Sequence, residues 1–170
     1  MKIFLTESKL GEFLKKHILN GNWISQFKPL NSRFKIDWYS DNLKFGVEFD
    51  GYQHYTSSRQ ILADERKLNL CKTCNIKLIR IPYFVQLSKD VIKLLFDLDI
   101  KEFEQIYPHG FVSKKSTMVY PADYCWLGIE KFKNDLEKFS IIKKEIVDSL
   151  KNKNVDKRLL LPKSLEYLLN

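Results

Sequence analysis

Cysteine is scarce in this chain, and the three residues present, Cys71, Cys74 and Cys125, are an odd number. That excludes a disulfide framework as the source of stability and suits reduced thiols in the cytoplasm. Cys71 and Cys74 have the spacing of a zinc knuckle, but no second pair completes the four ligands of a structural zinc site. No apolar run approaches the roughly 20 residues of a membrane span. The opening Met1-Lys-Ile-Phe-Leu-Thr-Glu7 meets a charge too early for a secretory signal. Membrane insertion and export are therefore not expected, and a cytoplasmic location is. Repeats and low-complexity tracts are also missing, which argues against solenoids and disordered arrays.

What is present is an ordinary globular composition with a basic excess. The 170 residues suffice for one medium domain, or for a core of about 100 residues carrying a helical appendage. With 29 Lys and Arg against 21 Asp and Glu, the net charge is +8 and the pI near 9.3, which favours a polyanionic partner.

Leu10, Phe13, Leu14, His17 and Ile18 recur at helical spacing, predicting an amphipathic helix from about Thr6 to Leu19, ended by Asn20-Gly21. His17 reads as a packed core histidine. Glu7 lies at the edge of that face, where it either reaches a site or simply complements the helix dipole. An aromatic and β-branched region follows from Trp23 to Phe27. In Arg33-Phe-Lys-Ile-Asp-Trp-Tyr39, period two places Phe34, Ile36 and Trp38 on one face and Arg33, Lys35, Asp37 and Tyr39 on the other. Ser40-Asp41-Asn42 is turn chemistry, and Leu43, Phe45, Val47 and Phe49 alternate after it, so a hairpin is expected with Glu48 and Asp50 on one side.

From Ser57 to about Lys72 the pattern is helical, with Ile61, Leu68 and Cys71 on one stripe. Asp64 falls inside that stripe, so it has a partner or the helix phase is wrong, because an unpaired inward charge is costly. Ile76 to Ile81 reads as a buried strand stopped by Pro82, and Ser88 to Leu98 as another helix. After a break at Tyr107-Pro-His-Gly110 and an exposed Lys114-Lys115, Pro121 opens what reads as one long helix. Its stripe is Cys125, Ile129, Phe132, Leu136, Phe139, Ile146 and Leu150, interrupted by Lys143. Packing on the core is the economical reading of that stripe, since a dimerising seam needs more uninterrupted heptads. Lys151 to Asn154 forms a basic connection, and a short helix begins near Lys163.

Asp37, Glu48 and Asp50 thus lie on adjacent strands, on the polar side of one hairpin. Clustered carboxylates repel one another unless a cation neutralises them. Magnesium takes such oxygen ligands together with phosphates and water, and activates the water for attack on phosphorus. His54 follows Asp50 past a glycine that allows a sharp turn, and suits a general base or a group that positions the attacking water. Solvated charges on an exposed hairpin face are the plain alternative.

The succession Arg33-Phe-Lys-Ile-Asp37, Val47-Glu-Phe-Asp-Gly51 with Gln53-His54, Asp64 and Lys67 in a helix, and Lys77-Leu-Ile-Arg80 resembles the PD-(D/E)XK nuclease superfamily. It is most similar to the branch of very-short-patch repair endonucleases and EDxHD homing endonucleases. The resemblance covers roughly residues 6–97. It implies an α/β (α+β) fold with a restriction-endonuclease-like core, a mixed sheet flanked by helices in αβββαβ order. Residues 1–100 would form that core and 101–170 a basic, mainly helical extension packed on it.

By the same resemblance the protein would be a magnesium-dependent endonuclease acting on DNA, with manganese as a substitute ion, RNA as a weaker alternative substrate and a homodimer if both strands are cut. Asp37 would be the central metal-binding aspartate, Glu48 the second acidic position, and His54 the histidine near the scissile phosphate. Asp64 would orient the site, and Glu7 would touch metal-bound water. The departure is Asp50, a third candidate metal ligand standing where the lysine of the E-x-K signature is expected. His54, Lys67, Lys35 or a second metal must then supply the missing charge. Otherwise the chain is a degenerate module that binds nucleic acid or a protein without cutting.

Overall fold

The computed structural model describes residues 7–85, 87–101, 124–151 and 163–169. Helix α1 (Glu7–His17) is followed by strands β1 (Trp23–Phe27), β2 (Ile36–Ser40) and β3 (Phe45–Asp50). Next come a one-turn helix α2 (Gln53–Thr56), helix α3 (Ser58–Thr73), strand β4 (Lys77–Pro82) and helix α4 (Lys89–Phe96). Helices α5 (Trp126–Lys138) and α6 (Lys143–Lys151) and a 3-10 segment (Lys163–Leu169) complete the described chain. The fold is mixed α+β, with one four-stranded sheet in the order β1-β2-β3-β4. The β1–β2 and β2–β3 pairs are antiparallel and β3–β4 is parallel, because α2 and α3 form the crossover a parallel pair requires.

Local chemistry explains the element ends. The Ser57 hydroxyl accepts from the Gln60 N–H and the Ser88 hydroxyl from the Val91 N–H, capping α3 and α4. Asp97 closes α4 in the left-handed region. Helix α1 approaches the sheet closely: a Cβ on Gly11 would lie 2.0 Å from the Trp38 ring. Helix α3 lies on the opposite side, where Cys71 and Ile76 pack with Ile36 and Tyr39. The larger core joins Leu10, Phe13 and Leu14 of α1 to Val47, Ile79 and Ile81 of the sheet, and to Ile92 and Leu95 of α4.

Two expectations are corrected. Ile36 and Trp38 do not share a face, since Trp38 belongs to the larger core and Ile36 to the smaller one. The β2–β3 ladder ends at Trp38–Val47, and just beyond it the Asp37 carboxylate takes the Phe49 N–H at 3.0 Å, which breaks the alternation. The long C-terminal helix is two helices, separated by a non-helical Phe139 and a 3-10 turn over Ser140–Ile142. That jog keeps Phe139, Ile142, Ile146 and Leu150 buried while Lys143 turns outward. The break before the helix, Lys114-Lys115, Pro121 and Asn152 to Asn154 lie outside the described residues.

Phe132 and Leu136 of α5 and Ile146 of α6 belong to the same core as α1 and the sheet. Among the described residues no helix is long and apolar enough to cross a membrane. Because Phe132 is fully buried, Phe132→Ala is expected to cost about 3–5 kcal/mol. Urea denaturation of the full chain should show one cooperative transition, displaced as a whole. Two transitions, only the later one unchanged, would mean that α5 is not part of the common core.

Candidate functional site

Strand β3 carries Glu48 and Asp50, but neither is presented to solvent: they are 3% and 0% exposed, with Asp64 at 6% and His54 at 9%. The parallel register sets Glu48 beside Arg80, a charged residue flanked in β4 by the buried Ile79 and Ile81. Arg80 draws in carboxylates from two elements. Its Nε and Nη2 donate to Asp50 Oδ2 and Oδ1 at 3.0 and 2.6 Å, and Nη2 lies 3.1 Å from Asp64 Oδ2. Nη1 lies 3.0 Å from Glu48 Oε2 but out of hydrogen-bond alignment, which leaves it a buried donor without a hydrogen bond.

Burial alone would raise the Asp50 pKa, but Arg80, Lys131 and His54 outweigh it and hold the carboxyl well below its ordinary range. Burial likewise disfavours the Arg80 charge, yet Asp50, Glu48 and Asp64 outweigh it and raise the pKa above the ordinary guanidinium value. Asp64 is also lowered: burial opposes ionisation, and the hydrogen bond from His54 and the charge of Arg80 prevail.

His54 sits on α2 with Nδ1 2.5 Å from Asp64 Oδ2, and Gln60 Nε2 donates to the other Asp64 oxygen at 3.0 Å. An ionised carboxylate only accepts, so Nδ1 carries a proton toward Asp64, and whenever the ring is neutral its lone pair is on Nε2. Of the two alternatives for Asp64, a partner or a wrong helix phase, that pairing supplies the partner. A carboxylate–histidine pair in this tautomer can accept a proton at Nε2.

Asp37 lies at the end of the β2–β3 ladder, half-buried, with Oδ2 spent on the Phe49 N–H. Burial pushes its pKa up, the Phe49 N–H opposes, and the charges of Glu48 and Glu7 add to the rise, leaving it at about 6. Lys67 of α3 donates to Glu48 Oε1, and at 2.9 Å to the Lys35 carbonyl; the Lys35 contribution is thus its backbone. Glu7 is exposed and accepts from Gln26 Nε2 at 2.6 Å. Gln26 has a left-handed φ of 53° in β1, a conformation unfavourable for a side chain with a Cβ.

The predicted residues therefore divide into two groups. Asp37, Glu48, Lys67 and Glu7 form one electrostatic neighbourhood. Asp50, expected as a third metal ligand, belongs instead to a buried ionic cluster with Arg80, His54, Asp64 and Lys131. Among the described residues no group of three or more His, Cys, Asp or Glu side chains is arranged to hold a metal ion. Magnesium commonly uses one or two carboxylates with water and phosphate oxygens; Asp37 has one oxygen besides that taken by the Phe49 N–H, whereas Glu48 meets Lys67 at Oε1 and Arg80 at Oε2, so a hard cation at this pair would displace one of those contacts. Asp50 does not fit, since both its oxygens are committed to Arg80 and Lys131.

Arg80, Lys131, Tyr55 and Asp135 were not singled out from the sequence as site residues. A charge inside the apolar run Ile76 to Ile81 was a signal for Arg80, since an interior charge needs partners. Nothing local marked Lys131, which α5 carries to within 3.0 Å of Asp50 from 81 residues away in the chain.

Two outcomes are expected. A group whose folded pKa is raised costs nothing below its unfolded pKa, and its cost grows until pH passes the folded value. Asp37→Asn should therefore stabilise the protein increasingly between pH 4 and about 6 and by a constant amount above. After discounting for partial exposure this is about 1 kcal/mol, or ~2–4 °C in melting temperature. A pH-independent change would show that the carboxylate is not strained. Arg80→Met should cost about 3–5 kcal/mol by leaving buried carboxylates uncompensated, and Arg80→Lys should recover little of it, since one ammonium cannot span three acids; urea titration measures both.

No family model matches the chain, and no solved structure matches it. The chain is similar to a protein of Invertebrate iridescent virus 6, described as "Uncharacterized protein 307L", with 34% identity over 97 residues. That match covers 51% of this chain and 45% of the viral protein, so it spans less than half the length of that relative.

Proposed function

We propose that the protein is a metal-dependent endonuclease that hydrolyses DNA phosphodiester bonds, on a restriction-endonuclease-like core of the PD-(D/E)XK type. The observation that carries this reading is the placement of Lys67. The E-x-K signature lacks its lysine because Asp50 stands there, and α3 supplies an ammonium to Glu48 beside Asp37 from a different element. The order helix, three strands, helical crossover and strand is compatible with the same reading.

Asp37 and Glu48 would hold magnesium or manganese, which when bound supplies an activated water and charge stabilisation at phosphorus. The protein's own groups account for the rest. Lys67 neutralises the acidic pair and faces the charge that builds on the phosphate. His54, seated on Asp64, accepts a proton through Nε2. Glu7, held by Gln26, adds negative charge near Asp37 and orients water at the edge of the site. The basic excess supplies phosphate contacts that set affinity without reading sequence. RNA is the alternative substrate, and a homodimer is the arrangement a double-strand cut would require.

One observation favours the rival reading, a degenerate module that binds without cutting. Arg80, Lys67 and Lys131 already neutralise Glu48 and Asp50, so the buried cluster is stable without a metal. Purified protein incubated with supercoiled, linear and single-stranded DNA and with RNA, with and without magnesium or manganese, separates the two. The nuclease reading expects metal-dependent cutting of DNA, loss of cutting in Asp37→Ala with affinity within about twofold, and a fall of about 100-fold or more in Lys67→Met. Full cleavage by Asp37→Ala would remove the nuclease reading. Binding without cutting in every combination would support the rival.

A further inference from the structure

The histidine that the nuclease reading uses stands on the weakest element of the fold. Helix α2 spans four residues, Gln53–Thr56, too few for its own hydrogen bonds to hold it. It is held by α3, through Asp64, and by α5, which lies outside the span of the family resemblance. The Tyr55 carbonyl accepts the Cys125 N–H at 3.1 Å, and Gly128 packs so closely that an added Cβ would lie 1.7 Å from that carbonyl oxygen. The Tyr55 ring is fully buried, and its hydroxyl donates to Asp135 Oδ2 at 2.7 Å. Lys131 lies 4.3 Å from the centre of that ring and 3.2 Å from its hydroxyl, and bridges Asp135 at 2.8 Å to Asp50 at 3.0 Å.

Packing alone does not call for these groups. A phenylalanine at position 55 facing apolar residues on α5 would fill the same space without burying a hydroxyl, an ammonium and a carboxylate. What directional bonds add is orientation: they fix the rotation of the Tyr55 ring and so the attitude of the turn that carries His54. The other side of His54 is already fixed by Asp64.

We propose that α5 is the positioning element of the histidine turn, with Tyr55, Lys131 and Asp135 acting as a latch that keeps the His54 ring seated on Asp64 and Nε2 turned to the substrate. This rests on the reading of His54 as a proton acceptor, and it makes α5 part of the reaction apparatus. None of the three latch residues touches the reacting atoms; they act through His54.

The test uses the full chain as wild type, Tyr55→Phe, His54→Ala and the double variant, assayed for magnesium-dependent DNA cleavage. Tyr55→Phe removes one oxygen and leaves the ring to fill its place. It is expected to lower kcat about ten- to a hundredfold, as a small misplacement of a reacting group does, with KM within about twofold. In the His54→Ala background it should have no further effect, because the latch then has nothing to position. An equal fall in both backgrounds, or none in either, overturns the proposal. Nitrogen NMR of the His54 ring gives a readout that needs no activity. The wild type should show a protonated Nδ1 and an unprotonated Nε2, and Tyr55→Phe and Asp135→Ala should mix the two tautomers. Unchanged ring resonances in both variants overturn the proposal whether or not DNA is cut. If the wild type cuts nothing, the nuclease reading fails by itself and the ring resonances alone decide the positioning.

Discussion

A single guanidinium, that of Arg80, holds together largely buried carboxylates from strand β3 and helix α3. Burying those charges one by one would cost several kcal/mol each, so each is tolerable only while the others are present. The planar fork of arginine matters here, because its separate nitrogens reach Glu48, Asp50 and Asp64 at once, which a point-like ammonium cannot do. The cluster ties the parallel β3–β4 register to the packing of α3, and with Lys131 it extends that tie to α5. Four elements are thus joined by one set of ion pairs.

That arrangement divides the acidic residues by task. Asp50 is sequestered and permanently ionised, a structural counter-charge for Arg80 and Lys131. Asp37 is the opposite case. Held at the open end of the β2–β3 ladder near Glu48 and Glu7, it stays partly protonated near pH 6 and gains from any cation that arrives. A fold gains nothing in stability from such a carboxylate, and strained electrostatics of this kind are characteristic of functional sites. Lys67 lies between the two regimes, compensating Glu48 from α3.

The C-terminal helices share the core of the N-terminal part. Phe132, Leu136, Phe139 and Ile146 fill the same apolar interior as α1 and α4, and the Tyr83 and Tyr124 hydroxyls hydrogen-bond across the two parts. Helix α5 then adds polar contacts to α2 that packing did not require. One helix thereby links the stability of the core to the attitude of the histidine turn.

Periodicity and turn chemistry by themselves determined α1, α3 and α4, the hairpin and the inward position of Asp64, because each depends on neighbours within a few residues. They also put Glu48 and Asp50 on one side of β3, as the strand period requires. What tertiary structure alone decided is what those acids face. The hairpin's polar side became a buried cluster because Arg80 comes alongside only through the β3–β4 crossover, and Lys131 only when α5 folds back across the chain. The break in strand period at Asp37 and the jog at Phe139 were likewise invisible locally. One follows from a side chain that replaces a ladder partner, the other from the need to turn Phe139, Ile142 and Ile146 toward a common core. Spacing could name the acidic residues, but their charge partners are distant in sequence, and those partners set whether each carboxylate is held ionised, as Asp50 is, or pushed toward its neutral form, as Asp37 is.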